Sequence, residues 1–319
     1  MSEGSRLPAS GLRARGLAWG RLLRLSLAPS AAADVAAGIV LARGTWPAGF
    51  GPLALVGGSL CVYHGGMALN DWADRAQDAR QARGRPLASG LVAPRAGLLV
   101  ALVLLCAGPV WASLAAPRCG LTLAIIALLA TLYDLRGRGP WLGPLLLASC
   151  RALNLGAGVL YGLERGGPPA PIAWTSLALY AAYVGSLSRL ARLEDASEVE
   201  RRAGHPRLSL ALASLALLVL GAQRALLDPP ATELRAWFQP GLAIVLTVAA
   251  SFGLLRRLAL TTLGPREIGV TVGMALRRLL IATAAMAFQA EGPHGLSVGA
   301  AILCGYPMSY FLRRVFPPT

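Results

Sequence analysis

The chain contains no lysine, so all 30 of its basic residues are arginine, set against 15 Asp and Glu for a net charge of +15. Charged residues make up only 14% of its 319 positions, where ordinary soluble domains carry about 25%. That scarcity, with a mean hydropathy of +0.57, excludes a conventional water-soluble domain and makes the bilayer the natural solvent. Aromatics are also few, at 6%, which argues against an outer-membrane barrel with aromatic girdles and for helices packed through small residues. The five cysteines stand singly, without a Cys-x-x-Cys or a neighbouring His cluster, so no zinc site is expected and they read as small buried hydrophobes. His64, His205 and His294 fall on separate segments and suggest no metal role. The stretch from Leu22 to Ala42 is interrupted by Arg24 and Asp34. It lacks the apolar core of a cleavable signal peptide and is expected to remain as the first span.

What is present in abundance is apolar sequence in lengths that cross the hydrocarbon, roughly 17 to 25 residues. Such segments fall at 26–43, 49–69, 93–116, 118–134, 141–163, 171–190, 207–227 and 238–258. The remainder, 265–314, holds one or two more: 267–290 is long enough but carries Arg277 and Arg278 midway, and 296–312 follows a turn-like Glu-Gly-Pro-His-Gly. The fold class predicted is therefore all-α, a polytopic bundle of nine or ten transmembrane helices. Arginine orients it, since the N-terminus and the connections after spans two, four, six and eight carry about 20 of the 30, the positive-inside pattern. A basic patch for nucleic acid would not alternate with spans in this way. The division expected is an Arg-rich cytoplasmic segment at 1–25 and one transmembrane domain at 26–314, in the cell (inner) membrane. Its two long polar loops, 70–94 and 189–207, face the cytoplasm.

The first of these loops opens with Asn70, Asp71, Asp74 and Asp78, directly after an apolar span that can continue as helix. Spacings of three and four place all four side chains on one helical face over two turns. Like charges so placed repel unless a cation joins them. Magnesium suits such a face, because it takes hard oxygen ligands and is commonly held by one or two carboxylates plus substrate phosphates. Arg80, Arg83 and Arg85 follow, able to reach phosphate oxygens, and Arg85-Pro86-Leu87-Ala88-Ser89-Gly90 turns the chain into the third span. Read blandly, the same residues are a solvated loop with helical ion pairs to Arg75 or Arg80.

Asn-Asp-x-x-Asp-x-x-x-Asp followed by Arg-Pro-Leu-Ala-Ser-Gly resembles the first signature of the UbiA superfamily of membrane prenyltransferases. Tyr133-Asp134-Leu135-Arg136 and Cys150-Arg151-Ala152-Leu153-Asn154 are similar to patterns of its fourth loop and fifth helix. The resemblance implies transfer of a prenyl group from an isoprenoid diphosphate to an acceptor with Mg2+-assisted loss of pyrophosphate. It implies that Asn70, Asp71, Asp74 and Asp78 bind Mg2+ and the diphosphate, and that Tyr133 and Arg136 line the pocket where the diphosphate leaves. The chemistry of the residues agrees, because cations placed where charge develops on the leaving diphosphate lower the barrier. The acceptor is expected to be lipophilic and is not named by the sequence.

The second loop departs from the family pattern. Where aspartates are usual before a Gly, this chain has Glu194, Asp195, Glu198 and Glu200 before Gly204. Glu194 and Glu198 are four apart and Asp195 and Glu198 three apart, so an altered acidic face for a second metal survives. Surface pairing with the loop's own arginines is the competing reading. This version of the loop resembles EboC-like and neighbouring actinobacterial-type branches.

Three further features sit inside the spans. Asp34, at membrane depth, is either functional or paired with an N-terminal Arg near the boundary. Arg151 and Asn154, three apart on one face of span five, either touch diphosphate or acceptor or make a polar helix contact. Tyr180 and Tyr183 share a face and either stabilise an allylic cation or simply pack. The alternatives to a prenyltransferase are phosphatidyl transfer on a CDP-alcohol, whose upstream half-signature is missing, and a non-catalytic isoprenoid-lipid binder or transporter, which the altered second loop favours.

Overall fold

The computed structural model describes residues 11–81, 84–137, 139–164, 170–194, 196–229, 233–259 and 263–317. Its helices are α1 (Gly11–Leu22), α2 (Ala28–Arg43), α3 (Gly51–Arg80), α4 (Pro94–Ser113), α5 (Pro117–Leu135), α6 (Leu142–Gly162), α7 (Pro171–Arg192), α8 (Glu198–Ala203), α9 (Pro206–Leu227), α10 (Phe238–Leu258), α11 (Pro265–Arg277), α12 (Leu279–Phe288) and α13 (Gly295–Val315). Proline sets where many of them start. Pro29, Pro52, Pro94, Pro117, Pro171, Pro206 and Pro265 each stand in a first turn, where the missing N–H would have had no helical partner anyway.

Among the described residues, nine helical stretches are long and apolar enough to cross a membrane, with Pro265–Phe288 counted as one. α7 is not among them, although its 22 residues span about 33 Å. Its inward face carries Ser176, Tyr180 and Tyr183 and its last turn Arg189 and Arg192, and these polar groups lower its hydropathy without shortening it. The segment with two midway arginines breaks at that point, α11 ending at Arg277 and α12 starting at Leu279. Outward faces expose Leu99, Leu121, Leu128, Val245 and Phe252, apolar surface of the kind lipid covers.

The bundle has two interior clusters. One joins α1 to α6 through residues such as Leu55, Val62, Leu105 and Leu123, and the other runs through α7, α9, α10, α12 and α13. α2 serves both, giving Val35 and Ile39 to the first and Ala37, Val40 and Leu41 to the second. It can do so because small residues bring its neighbours close. A Cβ at Gly158 of α6 would strike the Val35 carbonyl and lie 3.0 Å from Gly38 Cα. Gly58 and Gly108 make the same kind of approach between α3 and α4.

α3 positions the site. Thirty residues extend about 45 Å, against a hydrocarbon thickness of about 30 Å, so its last third projects beyond the apolar zone as continuous helix and carries the acidic motif with it. Replacing Gly158 with Val should separate α2 from α6 and cost about 1–3 kcal/mol. The expected result is a lower thermal midpoint in detergent with the helical spectrum retained; an unchanged midpoint would show that the two helices do not cross this closely.

Candidate active site

Asp71, Asp74 and Asp78 leave the same face of α3 and converge on one guanidinium nitrogen. Arg85 Nη1 lies 3.2 Å from Asp71 Oδ1, 3.8 Å from Asp74 Oδ2 and 3.0 Å from Asp78 Oδ2. Asp71 and Asp78 are almost wholly buried. The loop that delivers Arg85 is pinned by its own sequence: Ser89 N–H donates to the Arg85 carbonyl and Val92 N–H to that of Pro86. Gly90 takes φ +75°, and Leu87 and Val92 anchor the turn in the interior. Arg83 lies outside the described residues. Arg75 turns aside, its guanidinium 4.4 Å from the Trp72 ring centre.

Two contributions to this face come from far away in sequence. Arg24, at a left-handed φ of 51° between α1 and α2, donates through Nη2 to Asp71 Oδ1 at 3.1 Å, while Arg21 Nη2 donates to the Gly84 carbonyl at 3.0 Å. The N-terminal arginines therefore clasp the acidic loop. Asn70 Nδ2 donates to Asp134 Oδ1 at 2.9 Å, which ties α3 to the end of α5. Asp134 is buried and is a site residue that sequence reasoning passed over, though it stands between Tyr133 and Arg136, both singled out. Tyr133 is half-buried on α5, and Arg136 is exposed just after its last turn.

Arg151 and Asn154 belong to a second constellation deeper in the bundle. Asp34 is fully buried and accepts from Arg151 Nη1 at 2.8 Å, Asn154 Nδ2 at 3.1 Å and Tyr180 OH at 2.6 Å. Arg151 Nη2 donates to Ser30 Oγ at 3.0 Å, and Ser59 Oγ donates to Asn154 Oδ1 at 2.7 Å. The Arg151 guanidinium also stands 5.2 Å from the Tyr63 ring centre. Tyr63 precedes Asp71 by eight residues of helix, about 12 Å. Asp34 is thus paired across the bundle with Arg151 rather than with an N-terminal arginine. Tyr180 serves it as a hydrogen-bond donor, and Tyr183 OH donates to the Ala275 carbonyl at 2.9 Å.

In the second loop, Glu194 is exposed at the end of α7, with its carboxylate beside Gly269 of α11. Asp195 lies outside the described residues. Glu198 pairs with Arg202 at 2.6 Å on an exposed turn. Glu200 closes a capping box with Ser197, whose hydroxyl and N–H hold the Glu200 carboxyl below its usual range. Two cavities of about 310 Å³ each open at the other end of the bundle, around Arg224 and Glu291. Arg224 there is ion-paired with both Glu291 and Asp228.

Fold and site together define a polytopic helical membrane protein with an acid-and-arginine face at the end of one overlong helix. The chain matches the sequence profile of the UbiA prenyltransferase family over residues 31–267. It is 31% identical over 140 residues to a digeranylgeranylglyceryl phosphate synthase of Methanopyrus kandleri, a match spanning 44% of this chain and 49%, about half, of that protein. Its fold is similar to a UbiA homolog of Aeropyrum pernix K1, with TM-score 0.61 and 17% identity over 82% of this chain and 97% of the other. It is also similar to a UbiA homolog of Archaeoglobus fulgidus bound to DMAPP and Mg2+, with TM-score 0.58 and 15% identity over 84% and 99% of the two chains. The chain belongs to the UbiA prenyltransferase family, and it is an integral membrane protein.

Removing one partner of a buried ion pair strands the other, at about 3–5 kcal/mol, so removing both costs less than the sum of the two single losses. Asp34→Asn and Arg151→Met should therefore each destabilise the bundle strongly, and the double variant should recover much of the loss in thermal unfolding. Strictly additive losses would mean that the pair is not coupled.

Proposed function

We propose that the chain is a prenyltransferase that moves a prenyl group from an isoprenoid diphosphate to a lipophilic acceptor, releasing pyrophosphate with the help of Mg2+. The observation that carries this reading is the convergence of Asp71, Asp74 and Asp78 on a single point now held by Arg85 Nη1. Oxygen donors aimed at one point are what a hard divalent cation requires. Among the described residues no three His, Cys, Asp or Glu side chains form a ready-made metal cage. Magnesium takes one or two carboxylates and fills its shell with water and phosphate oxygens. Asp71, Asp74 and Asp78 would hold it, and it would supply neutralising charge to the departing diphosphate.

The rest of the chemistry falls to the chain. Arg85 is the resident counter-ion of the acid face, and its fork is free to pass to phosphate oxygens when a diphosphate arrives. Arg24 stands beside the same carboxylate, so two guanidinium groups flank the place where negative charge grows as the allylic carbon–oxygen bond breaks. The bonding electrons leave with the diphosphate oxygen, and the allylic cation is captured by the acceptor's nucleophilic atom, which then gives up its proton. Asn70, steered by Asp134, keeps the face in register. Tyr133 and Arg136 border the exit of the diphosphate. The arginine distribution supports a cytoplasmic position for the N-terminus and for this face, where soluble diphosphates are found. Glu194, Asp195 and Glu198 enter the proposal as a second metal-facing set. For Glu198 the change is small, because exposed helical pairs such as Glu198–Arg202 contribute only about 0.3–0.5 kcal/mol.

Purified chain in lipid, given Mg2+, allylic diphosphates of several lengths and host lipid extract, should release pyrophosphate and stop on adding chelator. Diphosphate held intact under every acceptor tried would instead favour the binder or transporter. Asp71→Asn and Asp74→Asn should each lower turnover by about 10²–10³-fold, the range for losing a preorganised electrostatic group. Arg85→Gln should act in opposite directions on two ligands, weakening prenyl-diphosphate binding while tightening Mg2+ binding measured alone by calorimetry, since the resident cation no longer competes. Weaker binding of both would show that Arg85 only shapes the loop.

A further inference from the structure

The break between α11 and α12 puts Arg277 and Arg278 midway along a 24-residue span, about 18 Å of helix from either end. Charges at such depth are retained for a purpose and ordinarily find a partner. Asp34 supplies one for Arg151; here no carboxylate answers among the described residues. α11, α12 and α13 together carry a single acidic residue, Glu267, at the start of α11. Arg278 Nη1 and Arg313 Nε are shut off from solvent with no hydrogen-bond partner among the described residues. Both side chains are partly exposed, so escape to water along the helix serves part of each guanidinium but not these two buried nitrogens. On α10, Gly253 lies directly beside the Arg278 guanidinium.

The like charges reinforce one another. Arg278 lies within electrostatic reach of Arg277, Arg257 and the Tyr306 hydroxyl, and Arg313 within reach of Arg277, Tyr306 and Tyr63. Tyr63 is the ring on which Arg151 stacks, so the cationic group borders the polar interior beneath the acidic face. The segment also falls past residue 267, where the match to the family profile ends.

We infer that Arg277, Arg278 and Arg313 form a binding site for a phosphate-type oxyanion, and that its occupant is the headgroup of a phosphate-bearing amphiphile. Guanidinium forks with unfilled donors suit phosphate oxygens, and the setting inside the bundle, among apolar helices, favours a headgroup that arrives with a tail over a free ion.

The test is binding to the full-length chain in detergent, without prenyl diphosphate, using oleoyl lysophosphatidate, the uncharged monooleoylglycerol and inorganic phosphate as probes. Lysophosphatidate should bind at least about tenfold more tightly than monooleoylglycerol. Arg278→Gln and Arg313→Gln should each remove about tenfold, the scale of a charged hydrogen bond. Arg278→Lys should retain part of the affinity, and Arg314→Gln, at an exposed position stacked on Tyr310, should bind as wild type; thermal midpoints verify that each variant is folded. Equal affinity for the charged and uncharged lipids, or no change in folded Arg278→Gln and Arg313→Gln, would overturn the site. Inorganic phosphate binding as tightly as lysophosphatidate would overturn the amphiphile. Because no donor is present, failure here leaves pyrophosphate release intact, and failure of pyrophosphate release leaves this result intact.

Discussion

Three carboxylates stacked on two turns of one helix cannot stay together without a cation between them, and much of the end of the bundle that holds α3's motif is arranged to supply one. The 85–90 turn exists to return Arg85 onto the face it has just left. The N-terminal segment folds back so that Arg24 reaches Asp71 and Arg21 holds Gly84. Asn70 donates to Asp134, which fixes the azimuth of α3 against α5. Each contact would be weak at a water-exposed surface. With Asp71 and Asp78 buried, their loss would leave unpaired charge, and that asymmetry is what makes the face rigid until a better ligand for both signs arrives.

The same rule governs the interior at greater depth. Asp34 is tolerated because Arg151, Asn154 and Tyr180 satisfy its oxygens. Reaching it takes three helices, held close by the glycine contacts of α2 with α6. Arg278, at the α11–α12 break, and Arg313 follow the rule in reverse, each with a buried nitrogen that no described residue satisfies.

Much of this was legible in sequence, for physical reasons that differ by element. Spans are readable because the bilayer imposes a length, and nearly every predicted segment matches a helix to within a few residues. Continuation of α3 through the acidic motif is readable because 3.6-residue periodicity alone puts Asp71, Asp74 and Asp78 on one face. The break at Arg277–Arg278 showed as two charges in an apolar run. What periodicity cannot provide is pairing across the fold. Asp34 finds Arg151 117 positions away, Arg24 finds Asp71 47 positions away, and Asn70 finds Asp134 64 positions away. Glu198 and Glu200 illustrate the complementary difficulty: a Ser-x-x-Glu capping box and a helical Glu–Arg pair use the same acidic spacing that a metal face would.

The central claim is that Arg85 stands in for the cation and diphosphate that the acid face is built to receive. The most direct measurement is a structure of the chain in lipid with Mg2+ and a non-cleavable prenyl thiodiphosphate. The account predicts the diphosphate between the α3 face and Arg85, with the guanidinium moved from the carboxylates onto phosphate oxygens and Mg2+ on Asp71, Asp74 or Asp78. A diphosphate bound elsewhere, with Arg85 still resting on all three aspartates, would contradict it.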